Sequence, residues 1–243
     1  MCYSISERVA MKTIYVADDD KNICELLKSH IESAGYAVQV YSNGKSLLDA
    51  FKKIPCDMII TDIVMPVMNG YDLCREVRKV SMIPIFMISA NNDEIDRVLG
   101  LELGSDDYIS KPISFRELLI KIKNTFRRQQ RYSETLQGDV ISCVDIKLVK
   151  ESREVYVDDA LLAATTKEFD LLHLFLTNQN RAFSREQIIE EIWGYDYYGD
   201  SRQVDHIIKR LRKKMLLLGA RCRIQTVWGF GYKIGGQDEK QHN

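Results

Sequence analysis

The chain has 243 residues, 45% of them hydrophobic and 28% charged, with a formal net charge of −1. That length accommodates two ordinary domains, and the composition is that of a globular protein rather than a disordered or fibrous one. So neutral a balance excludes any argument for nucleic acid from overall charge. No apolar run approaches the roughly 18–20 residues of a membrane-spanning helix, so the expectation is a cytoplasmic protein with no membrane partner.

Residues 1–11 read as an N-terminal extension. From residue 12 to about 127, short apolar runs alternate with amphipathic segments. Ile14–Ala17 has the length of a strand, and Ile23, Leu26, Leu27, His30 and Ile31 then recur at helical spacing, with Gly35 as a stop. The same alternation predicts strands at Val38–Tyr41, Met58–Thr61, Ile85–Ser89 and Tyr108–Ser110. Helices are predicted at Ser46–Lys53, Tyr71–Lys79, Ile95–Leu103 and Arg116–Arg127. Five βα units with nearly all-apolar strands imply an α/β fold with a parallel sheet covered on both faces, and a site outside the carboxyl ends of its strands.

The polar stretch Arg127–Asp139 has no apolar periodicity and reads as a linker, placed at 129–138. Beyond it, Val140–Ala163 suggests a small antiparallel sheet. Helices follow at Thr166–Leu176, Ser184–Trp193 (opened by a Ser-x-x-Gln capping box) and Ser201–Met215. A glycine-turned hairpin spans Ile224–Ile234, and 237–243 is a tail. Three helices and a terminal hairpin make a winged helix-turn-helix over residues 139–236. The six cysteines, at positions 2, 24, 56, 74, 143 and 222, show no ligand spacing and read as reduced packing thiols.

Four constellations fall at predicted strand ends: Asp18-Asp19-Asp20, Asp62, Ser89-Ala90 and Lys111-Pro112. A lone aspartate after a strand is more often a helix cap than a nucleophile, and Asp20 fits that role. Together, however, the four describe a chemistry. Asp18 or Asp19 with Asp62 offers hard oxygen ligands to Mg²⁺ or Mn²⁺, which needs few carboxylates beside a phosphate. Asp62 is then a nucleophile toward a phosphoryl group, with Lys111 and the Ser89 hydroxyl placed for its oxygens. Asn43-Gly44-Lys45-Ser46 is not a P-loop, because the motif needs glycine where Gln39 stands. A DxD phosphatase is disfavoured by Val64 two residues after Asp62.

With these residues in place, 12–128 resembles the receiver domain of two-component response regulators, of flavodoxin-like (βα)5 fold, and the rest resembles the winged-helix effector of the OmpR/PhoB family. The resemblance implies that Asp62 accepts phosphate from a sensor histidine kinase. It also implies that Asp18, Asp19, Asp62 and the carbonyl of Val64 hold the metal, with Ser89 and Tyr108 as switch residues and Lys111, before a cis proline, as the phosphate-binding lysine. Ile113-Ser114-Phe115 departs from the family, which has Phe first and Pro third. Such a regulator is no enzyme beyond its own phosphorylation and slow dephosphorylation. The alternatives are a regulator acting without phosphorylation and an aspartate-nucleophile phosphatase.

The resemblance further implies a phosphorylation-promoted homodimer through the face of the fourth helix, fifth strand and fifth helix. Its pairs are Arg97–Glu117, Asp107–Lys121, Glu102–Lys123 and Asp106–Arg128, around Val98, Leu101 and Leu119. Between residues 202 and 233 there are nine basic residues against Asp205 alone, 9 − 1 = +8 in a chain of net −1. That asymmetry is the footprint of a nucleic-acid surface, so double-stranded promoter DNA is expected as a partner, with RNA polymerase beyond it. With Val204, Ile207, Ile208 and Leu211 facing the core, Arg202, Gln203, His206, Lys209, Arg210 and Lys213 are left outward. Arg212, Thr226 and Trp193 join the expected DNA contacts. Trp228, where the family's wing often has arginine, either packs on sugar and phosphate or anchors the hairpin.

Overall fold

The structure, a computed structural model, describes residues 11–89, 100, 103–134, 140–194 and 201–235. Strands β1 (Thr13–Ala17), β2 (Ala37–Tyr41), β3 (Met58–Asp62), β4 (Ile85–Ser89) and β5 (Asp107–Ser110) form one parallel sheet in the order β2-β1-β3-β4-β5. The chain steps from β1 to β2 and then returns to the other side of β1 with β3. The reversal opens a crevice at the carboxyl ends of β1 and β3, where Asp18 and Asp62 stand.

Helices α1 (Lys21–Ser33), α2 (Gly44–Lys53), α3 (Gly70–Arg78) and α4 (Phe115–Glu134) cover the sheet. Side chains alternate along each strand, so the two faces build separate cores. Ile14, Val16, Ile60 and Ile88 pack with Leu27, Ile31, Leu118 and Ile122 on one face. Tyr15, Ile59 and Met87 pack with Leu47, Phe51, Leu73 and Val77 on the other. Asp20, Asn43 and Asn69 cap α1, α2 and α3 through their side chains. The P-loop-like Asn43-Gly44 is thus a helix start.

The expected helix at Ile95–Leu103 lies outside the described residues apart from Gly100 and Leu103. Helix α4 runs on to Glu134, past the expected end at Arg127. The added turns carry Arg, Gln and Glu, which favour helix without an apolar stripe.

The second domain begins with an antiparallel sheet of β6 (Val140–Cys143), β7 (Ile146–Val149), β8 (Glu154–Val157) and β9 (Ala160–Leu162). Helices α5 (Thr166–Thr177), α6 (Arg185–Trp193) and α7 (Arg202–Leu217) follow, with β10 (Phe183–Ser184) before α6. Strands β11 (Arg223–Val227) and β12 (Gly231–Gly235) close the domain as a hairpin. Ser184 and Gln187 form the expected capping box, and Thr165 and Glu168 form another at α5. That second box has the sequence form Thr-x-x-Glu. No described helix is long and apolar enough to cross a membrane. Cys24, Cys56, Cys74, Cys143 and Cys222 are buried free thiols.

Candidate functional site

Carboxylate oxygens of Asp18, Asp19 and Asp62 lie within 4.8 Å of one another in the crevice between β1 and β3. Asp18 and Asp62 are buried and Asp19 is exposed, so the cluster has two fixed oxygens and an open rim. The Lys111 ammonium lies 3.1 Å from Asp18 Oδ2 and 3.3 Å from Asp62 Oδ2. One lysine therefore serves two buried acids. Burial is the largest influence on the Asp62 carboxyl and pushes its pKa above the usual carboxylate value. Lys111 pulls it down and Asp18 adds to the rise. Burial also works against the Lys111 ammonium, but its hydrogen bond to Asp18 and the charge of Asp62 outweigh that, and its pKa lies above the usual lysine value.

The backbone explains why these groups converge. Asp18 follows the last residue of β1, and its Oδ1 accepts the Asp20 N–H at 2.9 Å, which fixes the acidic turn. Asp20 is turned away as the cap of α1. Ser89 ends β4 beside the last residues of β3, buried, and its carbonyl accepts the Lys111 N–H at 2.7 Å. Lys111-Pro112 is cis. The Val64 side chain is exposed. A Cβ on Gly70 would collide with the Asp62 carbonyl; glycine there lets α3 begin against the end of β3. The Tyr108 ring is half-buried against the α2–α3 core.

On the expected dimer face, Asp107 Oδ1 accepts from Lys121 Nζ at 2.8 Å within one chain, and Glu117 lies 3.5 Å from the same ammonium. Lys123 is exposed and Leu119 half-buried against the core. Arg97, Val98, Leu101, Glu102 and the Arg128 side chain lie outside the described residues.

Asp106 departs from the solvent-facing role expected of it: it is 0% exposed. Its Oδ2 accepts from Arg78 at 2.9 Å and from the Ile85 N–H at 3.0 Å, while its Oδ1 accepts from the Lys167 N–H at 3.1 Å. Lys167 belongs to the other domain, in the first turn of α5, where backbone N–H groups lack helical partners. The receiver carboxylate thus caps a helix of the effector. Thr166 Oγ1 adds a longer bond to the Met82 carbonyl, 3.4 Å.

The basic face of α7 is narrower than expected. Arg202, Lys209 and Lys213 are exposed and His206 is half-buried. Gln203 is turned inward, 3% exposed, because the buried stripe is Gln203, Val204, Ile207, Ile208, Leu211 and Met215. Positions four apart share a helix face, so 203 falls in line with 207 and 211. Arg210 is held 2.7 Å from the buried Glu168, and Lys214 lies 2.6 Å from the same carboxylate. Arg212 donates to the Ile224 carbonyl and Thr226 Oγ1, tying α7 to the hairpin. In this arrangement those two arginines have partners within the domain, Gln203 is buried, and Thr226 is half-buried beside Arg212. Trp193 is buried too, with the Lys167 ammonium 4.8 Å from its ring centroid, so it packs within the domain. Trp228 does the opposite: it is 92% exposed at the hairpin tip, which removes the anchoring role.

Comparison with known proteins agrees with this arrangement. Residues 14–123 match the family model for the response regulator receiver domain, and 159–234 that for the C-terminal domain of transcriptional regulatory proteins. The chain is 38% identical to the transcriptional regulatory protein CssR of Bacillus subtilis, over 91% of this chain and 97% of CssR. It is 37% identical to the response regulator ArlR of Staphylococcus haemolyticus, over 92% of this chain and all of ArlR. Among solved structures, a mutant RitR matches in fold with a TM-score of 0.77 at 22% identity, covering 93% of this chain and 100% of that one.

Proposed function

This chain belongs to the two-component response regulators that join a receiver domain to an OmpR/PhoB-type DNA-binding domain, and from that premise we propose how its residues carry the signal. Asp62 takes the phosphoryl group from a phosphohistidine of a sensor kinase. An Asp62 carboxylate oxygen attacks phosphorus, the P–O bond forms as the P–N bond breaks, and the imidazole, protonated beforehand on its other ring nitrogen, takes the P–N electron pair and leaves neutral. The observation that carries this reading is Lys111, which among the described residues is the one cation shown paired with both Asp18 and Asp62. Two buried acids with one cation leave the crevice short of positive charge.

The donor set fits a hard divalent ion: carboxylates from Asp18, Asp19 and Asp62 are gathered at one rim, and the Val64 carbonyl is the family's further ligand. A bound Mg²⁺ or Mn²⁺ supplies the counter-charge that lets an anionic donor approach anionic Asp62. Lys111 holds a phosphoryl oxygen as a point charge, and Ser89 offers its hydroxyl to another. Phosphorylation adds about −1.5 to −2 charge to the crevice. Ser89 and Tyr108 respond, and the chain dimerises on promoter DNA through the β5–α4 side and the preceding segment. Asp106 cannot meet Arg128 of a second copy while it caps α5, so this dimer requires the domain junction to open. The bound dimer then recruits or excludes RNA polymerase.

The test uses the full chain with acetyl phosphate and Mg²⁺. Wild type gives one shifted band on a phosphate-affinity gel, while Asp62→Asn gives none. Sedimentation shows a monomer becoming a dimer only in the wild type. An unchanged mass after phosphorylation removes the dimer step, and an undiminished band in Asp62→Asn removes the site. Sustained hydrolysis of phosphoesters, rather than a single stable acyl phosphate, marks a phosphatase instead.

A further inference from the structure

We infer that Cys143 and Cys222 are an oxidisable thiol pair: a small hydroperoxide closes them into a reversible disulfide that ties the start of β11 to the end of β6. The site lies in the effector domain and is independent of the chemistry at Asp62. Both residues are free thiols, and their sulfurs are 3.4 Å apart. The described thiols of the receiver behave otherwise. Cys24, Cys56 and Cys74 each donate to a backbone carbonyl, of Asp18, Met58 and Leu103 respectively. Among the described cysteines, sulfur meets sulfur in the effector alone.

The backbone delivers the two thiols to one place and holds them there. Cys143 pairs with Ile146 across the turn Val144-Asp145. The Asp145 carboxylate reaches out of that turn and accepts the Arg221 N–H and, at 2.9 Å, the Cys222 N–H. The Asp158 N–H donates to the Asp145 carbonyl at 2.7 Å, which fixes the turn from its other side. Val144 stands at φ +58°, a conformation that a β-branched residue rarely adopts, so these bonds hold a strained turn in place. Cysteines 79 positions apart in sequence are thereby kept within about 1.4 Å of bonding distance.

The pair is asymmetric, which sets the order of events. The Cys222 S–H donates to Cys143 Sγ, with a longer bond of 3.7 Å to the Gly235 carbonyl. A donated bond favours the thiolate on the acceptor, and Cys143 is the sulfur nearer water, 7% exposed against 0% for Cys222. Burial, and after it the hydrogen bond to Cys143, push the Cys222 thiol above the ordinary cysteine value. Cys143 is therefore the nucleophile and Cys222 the resolving thiol. The Cys143 thiolate attacks a peroxide oxygen; the S–O bond forms, the O–O bond breaks, and the departing oxygen takes up a proton. Cys222 then loses its proton and attacks the sulfenic sulfur, so that the S–S bond forms, the S–O bond breaks and water leaves. Two thiols are oxidised and one peroxide is reduced. The slight exposure of Cys143 admits a small oxidant in preference to a bulky disulfide.

The experiment treats reduced full-length protein with hydrogen peroxide, blocks the remaining thiols in denaturant and maps the peptides without reductant. The expected result is a loss of two of the six thiols and one intramolecular link between positions 143 and 222. The unfolding temperature rises and is restored by dithiothreitol, because the bond closes a loop that carries α5, α6 and α7 in the unfolded chain. Cys222→Ala treated with peroxide and dimedone carries the label on Cys143, and Cys143→Ala carries none on Cys222. Six surviving thiols, or a link through other cysteines in place of this one, overturns the site. Label on Cys222 overturns the assignment of Cys143 as nucleophile. The wild-type map decides the site by itself should either variant fail to fold.

Discussion

Two buried acidic sites in this chain have opposite balances. Glu168, fully buried in α5, has two cations to itself: Arg210 at 2.7 Å and Lys214 at 2.6 Å, with the Thr165 N–H at 2.8 Å as well. Asp62 and Asp18, also buried, share one ammonium among the described residues, that of Lys111. Burial works to raise both Glu168 and Asp62. At Glu168 the two cations outweigh it and the pKa falls below the usual glutamate value, whereas at Asp62 burial prevails and the pKa rises. The number of cations per carboxylate separates an acid whose charge is matched within the fold from one left short of positive charge. The same comparison shows that part of the formal positive charge of α7 is paired with Glu168 inside the domain.

The comparison breaks most visibly at Glu168. Glu168→Ala leaves Arg210 and Lys214 facing a buried void, and removing one partner of a buried ion pair costs about 3–5 kcal/mol. Urea unfolding followed by circular dichroism should show that loss, and a midpoint unchanged from wild type would mean the cluster carries no weight. At the crevice the effect has the other sign. Asp62→Asn relieves repulsion with Asp18 and should leave the unfolding midpoint unchanged or raised. Added Mg²⁺ sharpens the contrast: at ten times its Kd it stabilises the wild type by about 1.4 kcal/mol, and Asp62→Asn by clearly less. A thermal shift equal in both proteins would place the ion elsewhere.

Acid titration gives the smallest but most direct separation. A lowered folded pKa means that Glu168 contributes stability present above its unfolded value, near 4.5, and lost as the pH falls through the folded value. Asp62, with its folded pKa above the unfolded 3.8, destabilises at neutral pH, and that penalty is relieved as it protonates on acidification. Carboxyl carbon NMR should therefore show Asp62 gaining its proton at higher pH than Glu168. The reverse order would overturn the comparison.

The receiver fold was largely legible, because all-apolar strands alternating with helical periods admit few arrangements. The strand-end residues Asp18, Asp62, Ser89 and Lys111 could be found for the same reason: strand ends are fixed by where apolar runs stop. The DNA face was less legible. Charge marks a helix as basic but does not say which cations are spent inside, and the partner of Arg210 lies 42 residues away in sequence. Gln203 was misplaced because a four-residue apolar pattern left room for one polar residue in the stripe. Asp106 could not be assigned from sequence at all, since its partner Lys167 is 61 residues distant and in another domain.

The Asp106 junction bears on how freely such domains can be exchanged. Arg78 and Asp106 on one side meet Lys167 on the other, and the neighbouring Glu168 reaches α7. A receiver grafted onto a foreign effector must be offered a helix start at the same place, or its Asp106 is surrendered to water. A foreign receiver placed here leaves the Lys167 N–H in the first turn of α5 without the acceptor that Asp106 supplies. The two halves are therefore less like interchangeable parts than like a lock and key cut together, and chimeras of this chain should be joined with residues 78, 106 and 166–168 taken from one parent.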